Sequence, residues 1–166
     1  MSLTRILAVS ALSMALSPLA LAATNNNSAS FGTWRNAHTT DVVISAHGIE
    51  SAYQARAQCQ KMAGFKHQSQ QFNGTELKQS LSRELQQSQS HADEFKSNGD
   101  TEGAADFEEN ARQIKATLPL IQAGKNYHGI YSVCGDGALT FVQLSAKQAL
   151  FVADGGGIGL YYLLSK

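Results

Sequence analysis

Two stretches of this sequence hold residues whose types and spacing could do chemistry. The first is "NGDTEGAADFEE", Asn98 to Glu109. Set against the calcium-loop pattern D-x-[DN]-x-[DN]-G-x5-E, Asn98 takes position 1, Asp100 position 3, Glu102 position 5, Gly103 position 6 and Glu109 position 12. Oxygen ligands at alternate positions can surround Ca²⁺, the glycine allows the bend, and the last glutamate chelates with two oxygens. The frame departs from the pattern where it matters. Position 1 is neutral, Glu102 is longer than Asp or Asn, and Ala105 stands where paired loops place a branched apolar residue. The plainer chemistry is electrostatic. Asp100 or Thr101 can cap a helix, and acids in its first turn complement the helix dipole. Asp93, Glu94, Asp100, Glu102, Asp106, Glu108 and Glu109 crowd this stretch, with Lys96 and Arg112 nearby. An acidic tip of this kind suits docking of a basic partner, with weak Ca²⁺ binding as the lesser reading.

The second stretch is "FVADGGGIGLYYLLSK". A phosphate-cradling loop needs a strand, a glycine turn and then a helix whose N-terminus faces the phosphate. Here "LYYLLSK" follows Gly159, β-favouring and without a P-loop lysine. Residues 154–157 therefore predict a hairpin turn. Gly157 and Gly159 share one face of the final strand, where a helix or Trp34 is expected to pack closely.

Cys59 and Cys134 are the two cysteines. In an oxidising compartment they predict one intramolecular disulfide, closing a long loop and stabilising the fold by about 4 kcal/mol. The competing reading is a nucleophilic cysteine with His128 as its base. The five histidines, His38, His47, His67, His91 and His128, show no HxH or HxxxH spacing, and GxSxG, HExxH and CxxC are absent. No catalytic residue is assigned, and the balance is against an enzyme. A small cell-envelope hydrolase, using His47, His128 and Asp136 between sheet and helices, stands as the alternative.

The compartment follows from the first residues. "MSLTRILAVSALSMALSPLALAA" has Arg5 at its head, an apolar stretch, Pro18, and Ala20-Leu21-Ala22. Charge, short apolar core and small-x-small site in that order predict a secretory signal peptide over residues 1–22, cut after Ala22. The apolar core is short for a membrane span, which takes about 20 apolar residues. No cysteine follows the cut to accept a lipid, so a periplasmic or secreted product free of the membrane is expected. Its charges are nearly balanced and never clustered into the basic patch that nucleic acid or an anionic membrane requires.

The elements that must position these residues come next. Residues 23–30 read as a flexible leader. "SFGTWRN" and "TTDVVISAHG" read as strands, punctuated by Gly48. "IESAYQARAQCQKMAGF" reads as a helix with Cys59 facing inward, and "KHQSQQFNG" as a loop. Leu77, Leu81, Leu85, Ala92 and Phe95 make one apolar stripe, and Ala104, Phe107, Ala111, Ile114, Leu118 and Ile121 make another. Around the turn formers of "KSNGDTEG" they predict an antiparallel helical hairpin at about 75–123, roughly 30 Å long. Pro119 should kink or end its second helix, and Gly124 is the latest C-cap. "YHGIYSVCG", "GALTFVQLS", "ALFVA" and "GIGLYYLLS" then predict a four-stranded meander. The expected fold is α+β over residues 31–166: one domain with an antiparallel sheet of C-terminal meander plus N-terminal strands, a central helix and the helical hairpin.

Within "YSVCGDGALTFVQLSAKQALFVADGG", the Tyr-x-x-Cys, the "LTF" strand and the "ALFV" strand resemble the opening hairpins of the C-type lysozyme inhibitors of the bacterial periplasm. The likeness spans Tyr131 to about Gly156. That family's SGxxY loop is missing, so no functional residue is carried over. Size, export signal, cysteine pair and acidic hairpin together favour an exported interaction module: an inhibitor, immunity-type or accessory protein that binds an envelope or secreted protein.

Overall fold

Alternation of apolar side chains from Tyr127 onward builds the core of the molecule. The computed structural model describes residues 29–39, 41–45, 48–51, 67–134, 137–155 and 158–166. In chain order these form β1 (Gly32–Trp34), β2 (Val42–Ser45), β3 (Gly48–Glu50), β4 (His67–Asn73), α1 (Gly74–Ser97), α2 (Thr101–Thr117), a 3-10 turn (Leu118–Leu120), β5 (Asn126–Cys134), β6 (Gly137–Gln143), β7 (Gln148–Gly155) and β8 (Ile158–Ser165). The fold is α+β, with two antiparallel sheets ordered β1-β2-β3 and β4-β5-β6-β7-β8.

Register assigns each side chain of the larger sheet to a face. Ile130 pairs with Phe141, Phe141 with Phe151, and Phe151 with Tyr162, so these four form one row across the sheet. One residue along, Val142 pairs with Leu150 and Leu150 with Leu163, and they point the other way. The first row packs with Trp34, Val42, Ile44 and Ile49 of the small sheet. The second packs with Leu81, Ile114 and Ile121 from the helical segment. Three layers result: helices, a five-stranded sheet and a three-stranded sheet. Trp34 anchors the small sheet. It is fully buried, meets the edge of Phe141 at 5.2 Å between ring centroids, and donates its indole N–H to the Ser30 carbonyl at 2.8 Å.

The helices are capped as their sequence directs. The Asn73 side chain accepts from the N–H groups of Thr75 and Glu76, and Asp100 accepts from Gly103 at 2.8 Å. Leu77, Leu85 and Leu118 pack around buried Leu81 and Ile114. Between the helices Asn110 donates to Ser88, Lys96 pairs with Glu108, and the rings of Phe95 and Phe107 lie 5.4 Å apart. Helix α2 ends at Thr117 and Pro119 sits in the 3-10 turn that follows, consistent with proline's missing donor.

Several expectations are corrected. The N-terminal strands do not extend the meander; they form a separate sheet, because their apolar residues cover a face of the meander that would otherwise be wet. Among the described residues a bridge between Arg35 and Ser165 ties them to its edge. "KHQSQQFNG" is not a loop: its His67–Asn73 portion is strand β4, formed by pairing with β5 over its whole length. Ile49 and Glu50, expected in the central helix, lie in β3, which Gly48 opens with a positive φ of 112°. Ser51 follows β3 without helical structure, and residues 52–65 of that expected helix, Cys59 included, lie outside the described residues, as does the side chain of Cys134. The expected signal peptide over residues 1–22 lies outside them too.

Candidate binding cleft at the edge of the large sheet

Strand β8 ends the sheet, and its outward backbone groups need partners. Helix α2 supplies them with amides one turn apart. Asn110 donates to the Gly159 carbonyl at 3.1 Å and accepts from the Tyr161 N–H at 2.8 Å. Gln113 accepts from the Leu163 N–H at 3.1 Å. Asn36 donates to the Leu163 carbonyl at 2.7 Å and also to Gln113 at 3.0 Å. Arg35 and Ser165 exchange both backbone bonds at 2.7 and 2.8 Å. Side chains thus stand in for a sixth strand and close an edge that would otherwise invite pairing. The Asn36 carboxamide oxygen also accepts from the His38 N–H at 2.7 Å, which fixes the turn that carries His38.

Toward its N-terminus α2 leaves the sheet edge, and a cleft of about 600 Å³ opens there. That volume lies in the usual range for ligand sites. Gly103, Asp106, Phe107 and Asn110 line it from α2, spaced to share one helix face. Leu160, Tyr161 and Tyr162 line it from β8, with Phe95 and His38 at its sides. Gly103 is required by packing: a Cβ there would lie 2.5 Å from the Phe95 ring. Phe107 in turn packs with tilted rings against Phe95 and His91, whose centroids are 5.4 and 5.1 Å away.

The two carboxylates of the cleft differ. Glu109 is engaged, with Arg112 as its ion-pair partner, Gln113 donating to it at 2.7 Å and the His38 ring nitrogen 3.8 Å away. Asp106 is exposed and makes no ion pair among the described residues. The Tyr161 phenol is held well above its ordinary value, first by burial and then by the charge of Glu84 and a hydrogen bond with it, with a smaller contribution from Asp154. It stays neutral at physiological pH. The aromatic walls and Asp106 together suit a cationic group, which can meet ring faces and a carboxylate at once.

Within residues 98–109 the helix α2 begins at Thr101, so Thr101 to Glu109 are helical. The Asn98 N–H caps α1 by bonding to the Glu94 carbonyl at 3.1 Å. Asp100 is occupied in capping α2, Glu102 is exposed, and Glu108 pairs with Lys96, raising the lysine's pKa by hydrogen bond and charge. Asp106 and Glu109 alone of this set reach the cleft. Among the described residues no three His, Cys, Asp or Glu side chains are grouped to hold a metal. His47 and Asp136 lie outside the described residues. His128 is in β5, which is not among the described elements lining the cleft, and its buried Nε2 has no hydrogen-bond partner among the described residues. Gly159 is covered by the ring of Tyr161, 3.0 Å from where its Cβ would stand, and not by Trp34; the residues that follow it to Ser165 are strand β8, not a helix start facing a phosphate. Asn36, Asn110, Gln113 and Tyr161 were not singled out in the sequence, although Asn110 and Gln113 flank the α2 apolar stripe as polar residues.

Comparison of the chain with protein-family models, with curated proteins and with solved structures gave no match. No described helix is long and apolar enough to cross a membrane.

Proposed function

We propose that this chain is an exported, periplasmic or secreted, interaction module that binds a basic segment of another envelope protein. The observation that carries it is the cleft, where Asp106, in no ion pair among the described residues, stands with Phe95, Phe107 and Tyr161. On this reading α1 and α2 form an antiparallel hairpin. The three residues between them and their Lys96–Glu108 and Ser88–Asn110 contacts support that arrangement. The hairpin tip, with Asp93, Glu94, Asp100 and Glu102, adds a negative field that speeds encounter with a cation and fades as salt rises. A lysine or arginine side chain entering the cleft would gain about 0.5–2 kcal/mol from ring faces alone. The signal peptide over residues 1–22 and a Cys59–Cys134 disulfide belong to the same reading.

The test is titration with short arginine-rich and glutamate-rich peptides, followed by amide chemical shifts. The basic peptide should perturb Asp106, Phe107 and Tyr161, more weakly at high salt, and Asp106→Asn should weaken it several-fold. Equal response to both peptides, or shifts confined elsewhere, overturns the reading. Calcium is separated by calorimetry: stoichiometric micromolar Ca²⁺ binding lost in Glu109→Gln would replace docking by a calcium site.

A further inference from the structure

The two edges of the large sheet are treated differently. The β8 edge is closed by Asn36, Asn110, Gln113 and Arg35. The opposite edge is β4. Its bonds to β5 follow from register: Asn73 pairs with Asn126, and the Gly74 N–H bonds to the Lys125 carbonyl at 2.7 Å. Counting back in steps of two, Phe72, Gln70 and Gln68 turn their backbone groups toward β5. Ser69 and Gln71 therefore turn theirs outward. Neither makes a hydrogen bond there with any described residue, and Gln68, Ser69, Gln70 and Gln71 are all exposed.

Edges are normally guarded by a charge, a proline, a bulge or a covering element. β4 carries no Lys, Arg, Asp, Glu, Pro or Gly, and its pairing with β5 runs unbroken from His67 to Asn73. We infer that β4 is a self-association strand, whose Ser69–Gln71 edge pairs antiparallel with the same edge of a second copy of this chain. Antiparallel pairing is its own two-fold symmetry, the isologous contact of most homodimers. With the axis at Gln70, Ser69 of each copy meets Gln71 of the other and both bonds are exchanged. Charge permits it: uncharged glutamines oppose one another at the axis, and the whole chain has a formal net charge of +0. The two five-stranded sheets would become one continuous sheet. The contact lies at the far edge from the cleft and does not depend on what the cleft binds.

Sedimentation velocity of the purified protein over a concentration series tests this. A monomer–dimer equilibrium is expected. Ser69→Pro removes an outward N–H that β5 does not use, and Gln70→Lys sets like charges opposite each other at the axis. Each should weaken association at least tenfold. Amide exchange gives a second readout, in which the Ser69 and Gln71 protons become more protected as concentration rises. If Ser69→Pro fails to fold, Gln70→Lys and the exchange data decide. A protein monomeric at several hundred micromolar, association unchanged in Gln70→Lys, or exchange at Ser69 and Gln71 independent of concentration overturns the inference.

Discussion

Replacing Asn110 by alanine measures what closes the β8 edge. Asn110 is 7% exposed, and its amide holds the Gly159 carbonyl, the Tyr161 N–H and the Ser88 hydroxyl. Truncation leaves two backbone groups and a hydroxyl without these partners. A buried group left unsatisfied costs about 1–3 kcal/mol. Tyr161 and Gly159 are only half-buried, so water recovers part of the loss at each. The expected destabilisation is then about 2–4 kcal/mol. For a chain of this size, about 2–4 °C in melting temperature per kcal/mol gives a fall of roughly 5–15 °C. Urea unfolding supplies the free energy, and amide exchange locates it, with Tyr161 losing protection ahead of the strand interior. Asn110→Asp keeps an acceptor for Tyr161 but points an oxygen at the Gly159 carbonyl, so it should rescue little. An unchanged midpoint in both variants, or a Tyr161 amide still fully protected in Asn110→Ala, would refute the assignment of these bonds as the closure of the edge.

Leu81 is 2% exposed in the core between helices and sheet, so Leu81→Asp should destabilise by several kcal/mol; a melting temperature equal to the parent's would show that this core is not dry. Thiol titration of unreduced, denatured protein should find essentially no free cysteine, and two free thiols would remove the Cys59–Cys134 pairing and return either residue as a reactive group. The Tyr161 phenol, raised in the fold, contributes stability that is fully present below the ordinary value of 10.0 and is lost as pH climbs from there through the folded value. An alkaline absorbance titration should therefore lose a late-ionising phenol in Tyr161→Phe, and identical titration curves would show that burial and Glu84 do not hold it neutral.

The meander was legible because its strands obey the period-two rule on both faces: Phe141, Phe151 and Tyr162 against one layer, Val142, Leu150 and Leu163 against the other. The leucine stripe of α1 was legible for the same reason at helical period. Strand β4 was not, because "HQSQQ" has no apolar alternation; its conformation comes from bonds to β5, which local sequence does not encode. The separate small sheet was hidden too, since alternation fixes which face a residue takes but not which sheet it joins. As for the cleft, the acids were visible and their use was not. Glu109 reads as a chelator by position, yet Arg112 and Gln113 lie one turn further along the same helix and claim it.

The same pair of amides links stability to the shape of the cleft. Asn110 and Gln113 hold α2 against β8, while three to seven residues earlier Gly103, Asp106 and Phe107 line the cleft. The height of the cleft is thus set by bonds at its inner end and beyond it. Were α2 to slide toward β8, it would press on Tyr161, which lines the cleft from β8 and whose ring is already seated on Gly159. Were it to lift away, the edge amides of Tyr161 and Leu163 would lose their acceptors at the cost given above. Between those limits the cleft is held open by the closure of the sheet edge, which is why a polar residue at a buried helix position is more informative about this protein than the acidic turn that first draws the eye.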